Sequence, residues 1–259
     1  MEILGYVASI LIGISLGLIG SGGSILAVPI LVYLFNVNPQ LATTYSLFIV
    51  GVTSFVGVLK HYKLGNLKLK TALYFAIPSV LSLLVVRIII LPIIPQQLFT
   101  INSFIITKDM LLMIVFAVLM MVASLSMIKK RMETNSQKIE LAKLIFVGIS
   151  VGFVTGFLGA GGGFLIIPTL LFMGGLSMKQ AVGTSLLIVF INSFIGFIGD
   201  VYNGTIFNYQ LLFTITIIAL IGMFIGTALS KKINNDKLKP IFGWFVLIMG
   251  VYIIIEELL

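Results

Sequence analysis

The 259-residue sequence contains no cysteine and a single histidine, His61. Disulfides, thiolate metal centres and imidazole clusters are therefore excluded. Charge is scarce: Asp and Glu number 8, Lys and Arg 16, and charged residues make up 9% of the chain. No acidic residue sits deep in an apolar run, because Asp109 and Asp200 lie near run boundaries. Zinc and iron sites need clustered His, Cys or carboxylate, and a serine nucleophile needs a base beside it. Neither can be assembled inside this chain, and no G-x-x-x-x-G-K-[ST] sequence is present to hold ATP. The reading is a protein that is not an enzyme and uses no cofactor and no metal.

What remains is overwhelmingly apolar. Hydrophobic residues make up 59% of the sequence and the mean hydropathy is +1.22, more than a water-soluble core requires. The fold class expected is an all-α, polytopic membrane protein with the lipid bilayer as its surroundings. Glu2 stands where a signal peptide carries basic residues, so the first apolar segment is expected to stay in the mature protein. The net charge of +8 reads as lysine retained on the cytoplasmic side, not as a nucleic-acid-binding surface.

Apolar runs long enough for full spans fall at 41–59, 71–92, 108–128, 179–198, 209–229 and 240–257. Two further runs, 3–35 and 144–175, are too long for one span. Each is cut near its middle by glycine, at Gly20-Ser21-Gly22-Gly23 and Gly159-Ala160-Gly161-Gly162-Gly163. Glycine weakens a helix and lets the backbone turn. If these runs enter and return as hairpins, fourteen basic residues fall on one side of the membrane and only Arg87 and Lys108 on the other. The positive-inside rule selects that threading. Loops 60–70, 129–143 and 231–239 are then cytoplasmic and both termini lie outside.

The two hairpin segments are copies of each other. Residues 13–65 align with 152–204 at an offset of 139 without a gap, and 17 of the 53 positions are identical. Each half holds one hairpin and three full spans, so the halves enter the membrane from opposite sides. The chain is divided into a first repeat (1–128), a cytoplasmic linker (129–143) and a second repeat (144–259), an inverted pair. The loop carrying Lys60, Lys63 and Lys68 loses every lysine in its second copy, as homologous loops on opposite faces should.

Candidate binding groups follow from this arrangement. A glycine break in the membrane needs cover from protein or a watery cavity. A helix beginning after the break leaves its first amides without intrahelical partners, at the positive end of its dipole. Gly22, Gly23 and Ser24, with Ser21, would form such an anion site in one half, and Gly161, Gly162 and Gly163 in the other. The alternative is that the glycines allow close helix packing, the role assigned to Gly13, Gly17, Gly152 and Gly156. Neutral donors form a second set: Thr44, Ser46 and Thr53 in one span, Thr184, Ser185 and Asn192 in its counterpart. Ser46, Thr53 and Ser54 share one helix face, as do Ser185, Asn192 and Ser193. Such a stripe would line a cavity, or its hydroxyls would bond back to their own helix. Arg87 either snorkels to the outer interface or guides an anion to the outer mouth. His61 is a solvated loop residue or a proton-coupling group.

The doubled G-x-x-G-x-G-G-x-x-x-x-P box, Gly17 to Pro29 and Gly156 to Pro168, followed by Ala181-Val182-Gly183-Thr184-Ser185, resembles the TauE/SafE sulfite-exporter family of permeases. The likeness covers nearly the whole chain. It implies a transporter of sulfite, organosulfonates or related sulfur-containing anions in the cytoplasmic membrane. The first copy departs from the family's pattern, with Thr44-Tyr45 where the second has Gly183-Thr184. The function expected is a secondary transporter moving such an anion by alternating access. An anion channel and an accessory membrane subunit are the rival readings.

Overall fold

The computed structural model describes residues 2–101, 104–128, 141–159, 162–230 and 235–258. The chain is an all-α, polytopic membrane protein. Among the described residues, six helical stretches are long and apolar enough to cross a bilayer. Large apolar side chains stay exposed at helical spacing, such as Leu73, Ile77 and Leu81, and Phe213, Ile217 and Ile221. Residues four apart share a helix face, so these stripes form an apolar exterior suited to lipid.

The first apolar run folds back on itself. Helix α1 (Glu2–Ile19) ends at Gly20, whose φ of 72° turns the chain. The return arm is a 3-10 helix (Gly20–Leu26), one short α-turn, α2 (Ala27–Pro29), and a π-helical stretch (Ile30–Leu34). It ends with Phe35 edge-on to Tyr6 at 5.1 Å and beside Gly5, so both ends of the hairpin meet. Helix α3 (Pro39–Lys63) follows. Asn38 caps it, accepting from the amides of Gln40 and Leu41, and Pro39 supplies a first-turn φ that needs no donor. Then come α4 (Leu69–Leu84), a π-helical stretch (Val85–Ile90) and α5 (Leu91–Ile93). A short antiparallel ribbon, β1 (Gln97–Ile101) with β2 (Phe104–Thr107), leads into α6 (Lys108–Ile128). No strand was expected in this stretch.

The second half starts with α7 (Leu141–Leu158). The linker assigned to 129–143 otherwise lies outside the described residues. After the break come α8 (Gly163–Phe172) and α9 (Met178–Tyr202), the latter opened by a Ser177/Gln180 capping box. Helices α10 (Tyr209–Leu229) and α11 (Asn235–Leu258) complete the chain. Each full span expected from the apolar runs has a helix over it.

Packing exchanges the halves. Helix α1 lies along α10, where a Cβ on Gly13 or Gly17 would strike backbone between Ala219 and Thr227. Helix α7 lies along α4 in the same way, with Gly152 against the Ser79 carbonyl and Gly156 against Val86 and Leu83. These glycines serve close packing, as assigned. At the centre α3 crosses α9 in opposite directions. Thr44 meets Asp200, Leu47 meets Gly196, Gly51 meets Ser193, Gly57 meets Leu186 and His61 meets Gly183. Residue numbers rise along one helix as they fall along the other, which defines an antiparallel pair.

Candidate functional site

Three polar groupings lie along this central pair. The first is the crossing of the two broken segments. The Ser21 hydroxyl donates to the Gly163 carbonyl at 3.1 Å, and a Cβ at Gly163 would strike the Ser21 backbone. Each break also rests on the other half's central helix: Gly20 on Val182, and Gly159 on Thr43. Hydroxyls bond to backbone carbonyls here. Ser15 donates to Gly23 O at 3.1 Å and Ser24 to Ser21 O at 2.9 Å. Unpaired backbone groups are costly away from water, so these serines help hold the broken backbone in a buried setting.

The two helix starts differ. In the second half Gly162 takes φ 67°, and its carbonyl accepts from the amides of Leu165 and Ile166. The amides of Gly163 and Phe164 lie in the first turn, where no intrahelical acceptor precedes them. The first half departs from the expectation of a helix that begins after the glycine break. Its 3-10 helix already begins at Gly20, so Gly22, Gly23 and Ser24 fall inside the helical run. First-turn amides there belong to Gly20 and Ser21.

The second grouping is the α3–α9 seam. Asn192 donates to the Ser79 hydroxyl of α4 at 2.7 Å, while its Oδ1 is buried without a partner. The hydroxyls of Ser46, Ser54 and Ser193 are likewise buried and unpartnered. Leaving a buried polar group unsatisfied costs about 1–3 kcal/mol. Four such atoms on two packed helices are a concentration that stability alone disfavours.

The third is a cavity of about 420 Å³ at the end of the bundle where α3 begins and α9 ends. It is lined by Asn38, Gln40, Thr44, Arg87, Asp200 and Asn203 among others. Arg87 is 2% exposed and forms an ion pair with Asp200. The Arg87 guanidinium also donates to Thr43 Oγ1 at 3.0 Å and Thr44 Oγ1 at 3.3 Å. Thr44 in turn donates to Asp200 Oδ2 at 2.7 Å, and the Asn203 amide donates to the Arg87 carbonyl at 3.3 Å. The Arg87 Nε has no partner. Arg87 therefore does not snorkel. Its carrier is a π-helical stretch, an irregularity that redirects side chains and recurs at functional sites.

The TauE sulfite-exporter model (Sulfite exporter TauE/SafE) matches residues 6–253. The chain belongs to this family. It is similar to a probable membrane transporter protein of Xylella fastidiosa (strain Temecula1), 29% identical over 94% of this chain and 91% of the relative. It is also similar to the probable membrane transporter protein YunE of Bacillus subtilis (strain 168), at 25% over 98% of each. A probable membrane transporter protein of Methanocaldococcus jannaschii is 24% identical over 95% of this chain and 94% of the relative. No solved structure matches it significantly. The chain is a membrane transporter.

The structure distributes this TauE/SafE protein's expected site residues over all three groupings. Ser21 and Gly163 meet at the crossing, with Gly22, Gly23 and Ser24 packed behind and Gly162 turned against Thr155 of its own half; Gly161 lies outside the described residues. Ser46 and Asn192 belong to the central seam. Thr53 and Ser185 spend their hydroxyls on their own helices, Thr53 on Ile49 O at 2.7 Å and Ser185 on Val182 O at 2.9 Å. Thr44 belongs to the Arg87–Asp200 cluster. Thr184 lies at the far end, accepting from the Lys68 amide at 3.1 Å. His61 is half-buried beside Gly183, with Nδ1 unpartnered.

Sequence reasoning kept Arg87 and Asp200 apart. A signal was available: one basic and one acidic residue, each solitary at the edge of an apolar run and threaded to the same face. Charges in a membrane are expensive singly and cheaper paired.

Proposed function

We propose that this TauE/SafE protein is a secondary transporter carrying a small sulfur-containing oxyanion, such as sulfite or an organosulfonate, across the cytoplasmic membrane by alternating access. The observation that carries the reading is the set of buried, unpartnered hydroxyls of Ser46, Ser54 and Ser193 along the antiparallel α3–α9 seam. A hydroxyl that donates to nothing costs free energy in the empty protein and is offset when a ligand accepts from it. Neutral donors and first-turn amides suit a compact anion without trapping it as a buried lysine would. The family's description, sulfite exporter, favours the same cargo.

The two halves are read as inverted repeats. The antiparallel run of the equivalent helices α3 and α9 supports this, as does the exchange of α1 onto α10 and α7 onto α4. Rocking one repeat against the other would expose the seam to each side in turn. The lysine-bearing loop after α3 and the lysines at the start of α11 face the cytoplasm in this reading, and the 420 Å³ cavity faces outward.

The test is uptake by proteoliposomes containing the purified protein. Radiolabelled sulfite and a labelled organosulfonate should enter saturably and show counterflow. Flux of neither, nor of any other small anion, defeats the cargo assignment. Large unitary currents in planar bilayers would indicate a channel instead.

A further inference from the structure

The Arg87–Asp200 pair occupies the wall of a cavity large enough for a small oxyanion. Three features separate it from an ordinary buried staple. Arg87 is 2% exposed yet keeps its Nε without a partner. Only Nη1 and Nη2 are engaged, by Asp200, Thr43 and Thr44. The Asp200 carboxylate is held by side chains, its Oδ2 accepting from both Arg87 and Thr44. The cavity lies against both partners and against Thr44 and Asn203, which supply further donors. A planar guanidinium binds a carboxylate, a sulfite or a sulfonate through the same geometry of paired N–H donors and paired oxygens.

We infer that Asp200 is an internal substitute for the transported anion, occupying Arg87 until an oxyanion entering the cavity displaces it. The inference rests on the reading that the cargo is a small anion. It assigns an outer subsite distinct from the central seam. With the cavity empty, the carboxylate neutralises a guanidinium that would otherwise be buried alone. With an anion bound, the ligand takes over Arg87, and Asp200 turns into the cavity, where water and the Asn203 amide receive it. The charge surrounding the exchange is balanced at the rim: Lys108 donates to Leu91 O at 2.6 Å, and Asp109 Oδ2 accepts from Asn38 at 2.7 Å. Among the described residues neither side chain bonds to Arg87. Thr43, which binds the Arg87 Nη2, is also the residue against which the Gly159 break rests. A ligand that moves Arg87 therefore acts directly on the support of the second hairpin.

The experiment measures anion binding by the full-length protein in detergent, titrating sodium sulfite and sodium methanesulfonate by calorimetry in Tris–chloride buffer, which holds no carboxylate or sulfonate. Removing the competitor should strengthen binding: Asp200→Asn is expected to lower Kd about tenfold, within the range of ordinary site coupling. The double variant Arg87→Gln/Asp200→Asn keeps the pocket uncharged and of similar size, and should lose the gain entirely. Asp200→Asn should also melt lower than wild type without anion and recover with either one. An unchanged or weaker Kd in Asp200→Asn overturns the inference, as does a gain that survives in the double variant. Proteoliposome flux separates the two readings. Wild-type flux without a gain in Asp200→Asn removes only the displacement idea. A gain without wild-type flux removes only the transport assignment. Absence of both binding and flux removes both.

Discussion

The Ser21 hydroxyl donates across the molecule to the carbonyl of Gly163 at 3.1 Å, joining the two broken segments where they cross. Gly163 stands so close to the Ser21 backbone that a methyl group has no room. Gly163→Ala should therefore push the segments apart, at the 1–3 kcal/mol typical of overpacking a tight site, about. Ser21→Ala removes only the bond and should cost about 1 kcal/mol. Melting temperatures in detergent rank the two. Alanine at 163 proving harmless would show that the crossing is not close-packed.

Gly13 and Gly152 are equivalent in the two copies and meet equivalent surroundings, the carbonyls of Ala219 and Ser79. Gly13→Leu and Gly152→Leu should each separate a helix pair and lower stability by similar amounts, about 3 kcal/mol, the upper end of the overpacking scale. Gly65 provides the contrast. Its φ is 69° but no atom approaches its Cβ position within 4 Å. Asparagine tolerates that conformation, so Gly65→Asn should change the melting temperature little.

Much of this was legible in the sequence, and the reasons are local. Apolar length marks a membrane helix, and glycine clusters mark where one cannot continue, so the hairpin at Gly20 could be anticipated from composition. The repeat was legible because equivalent turns impose equivalent residues: Gly20 and Gly159 share positive φ, as do Gly65 and Gly204, and Asn36 and Gly175. Side-chain partners were less accessible. Nothing in the local pattern says that Thr53 bonds to Ile49 O while Ser46 bonds to nothing, since both are small hydroxyls on one face of α3. Arg87 and Asp200 are 113 residues apart, and only the packing of α4 and its π-helical extension on α9 joins them. The ribbon at Gln97–Thr107 escaped because its apolar residues lie between two spans and read as their margins.

Ser46 and Ser193 offer a sign test. Each hydroxyl is buried and has no partner. Ser46→Ala and Ser193→Ala remove a desolvated group without breaking a bond, so stability should hold or rise by up to about 1 kcal/mol. If the seam carries the anion, flux should nonetheless fall, roughly tenfold for the double variant, because about 1.4 kcal/mol of binding corresponds to one decade. Gain of stability with loss of transport is the signature of a residue kept for ligand binding. Loss of stability with unaltered flux would make these serines structural and move the site elsewhere.

Lys63 and Tyr202 end the antiparallel helices α3 and α9 and stand at equivalent positions of the two copies. Tyr202 is 86% exposed and Lys63 is also exposed. The chain has no cysteine, so a single introduced thiol is the only target for a maleimide. In intact cells a membrane-impermeant maleimide should modify Tyr202→Cys at once and Lys63→Cys only after permeabilisation. The expectation follows from lysine distribution, since loop 60–70 is lysine-rich and its counterpart after Tyr202 has none. A parallel duplication would place both thiols on one face, and equal labelling of both from outside would refute the inverted arrangement. Reversed labelling would keep the inversion but place the Arg87 cavity on the cytoplasmic side, so that anions meet it from within the cell.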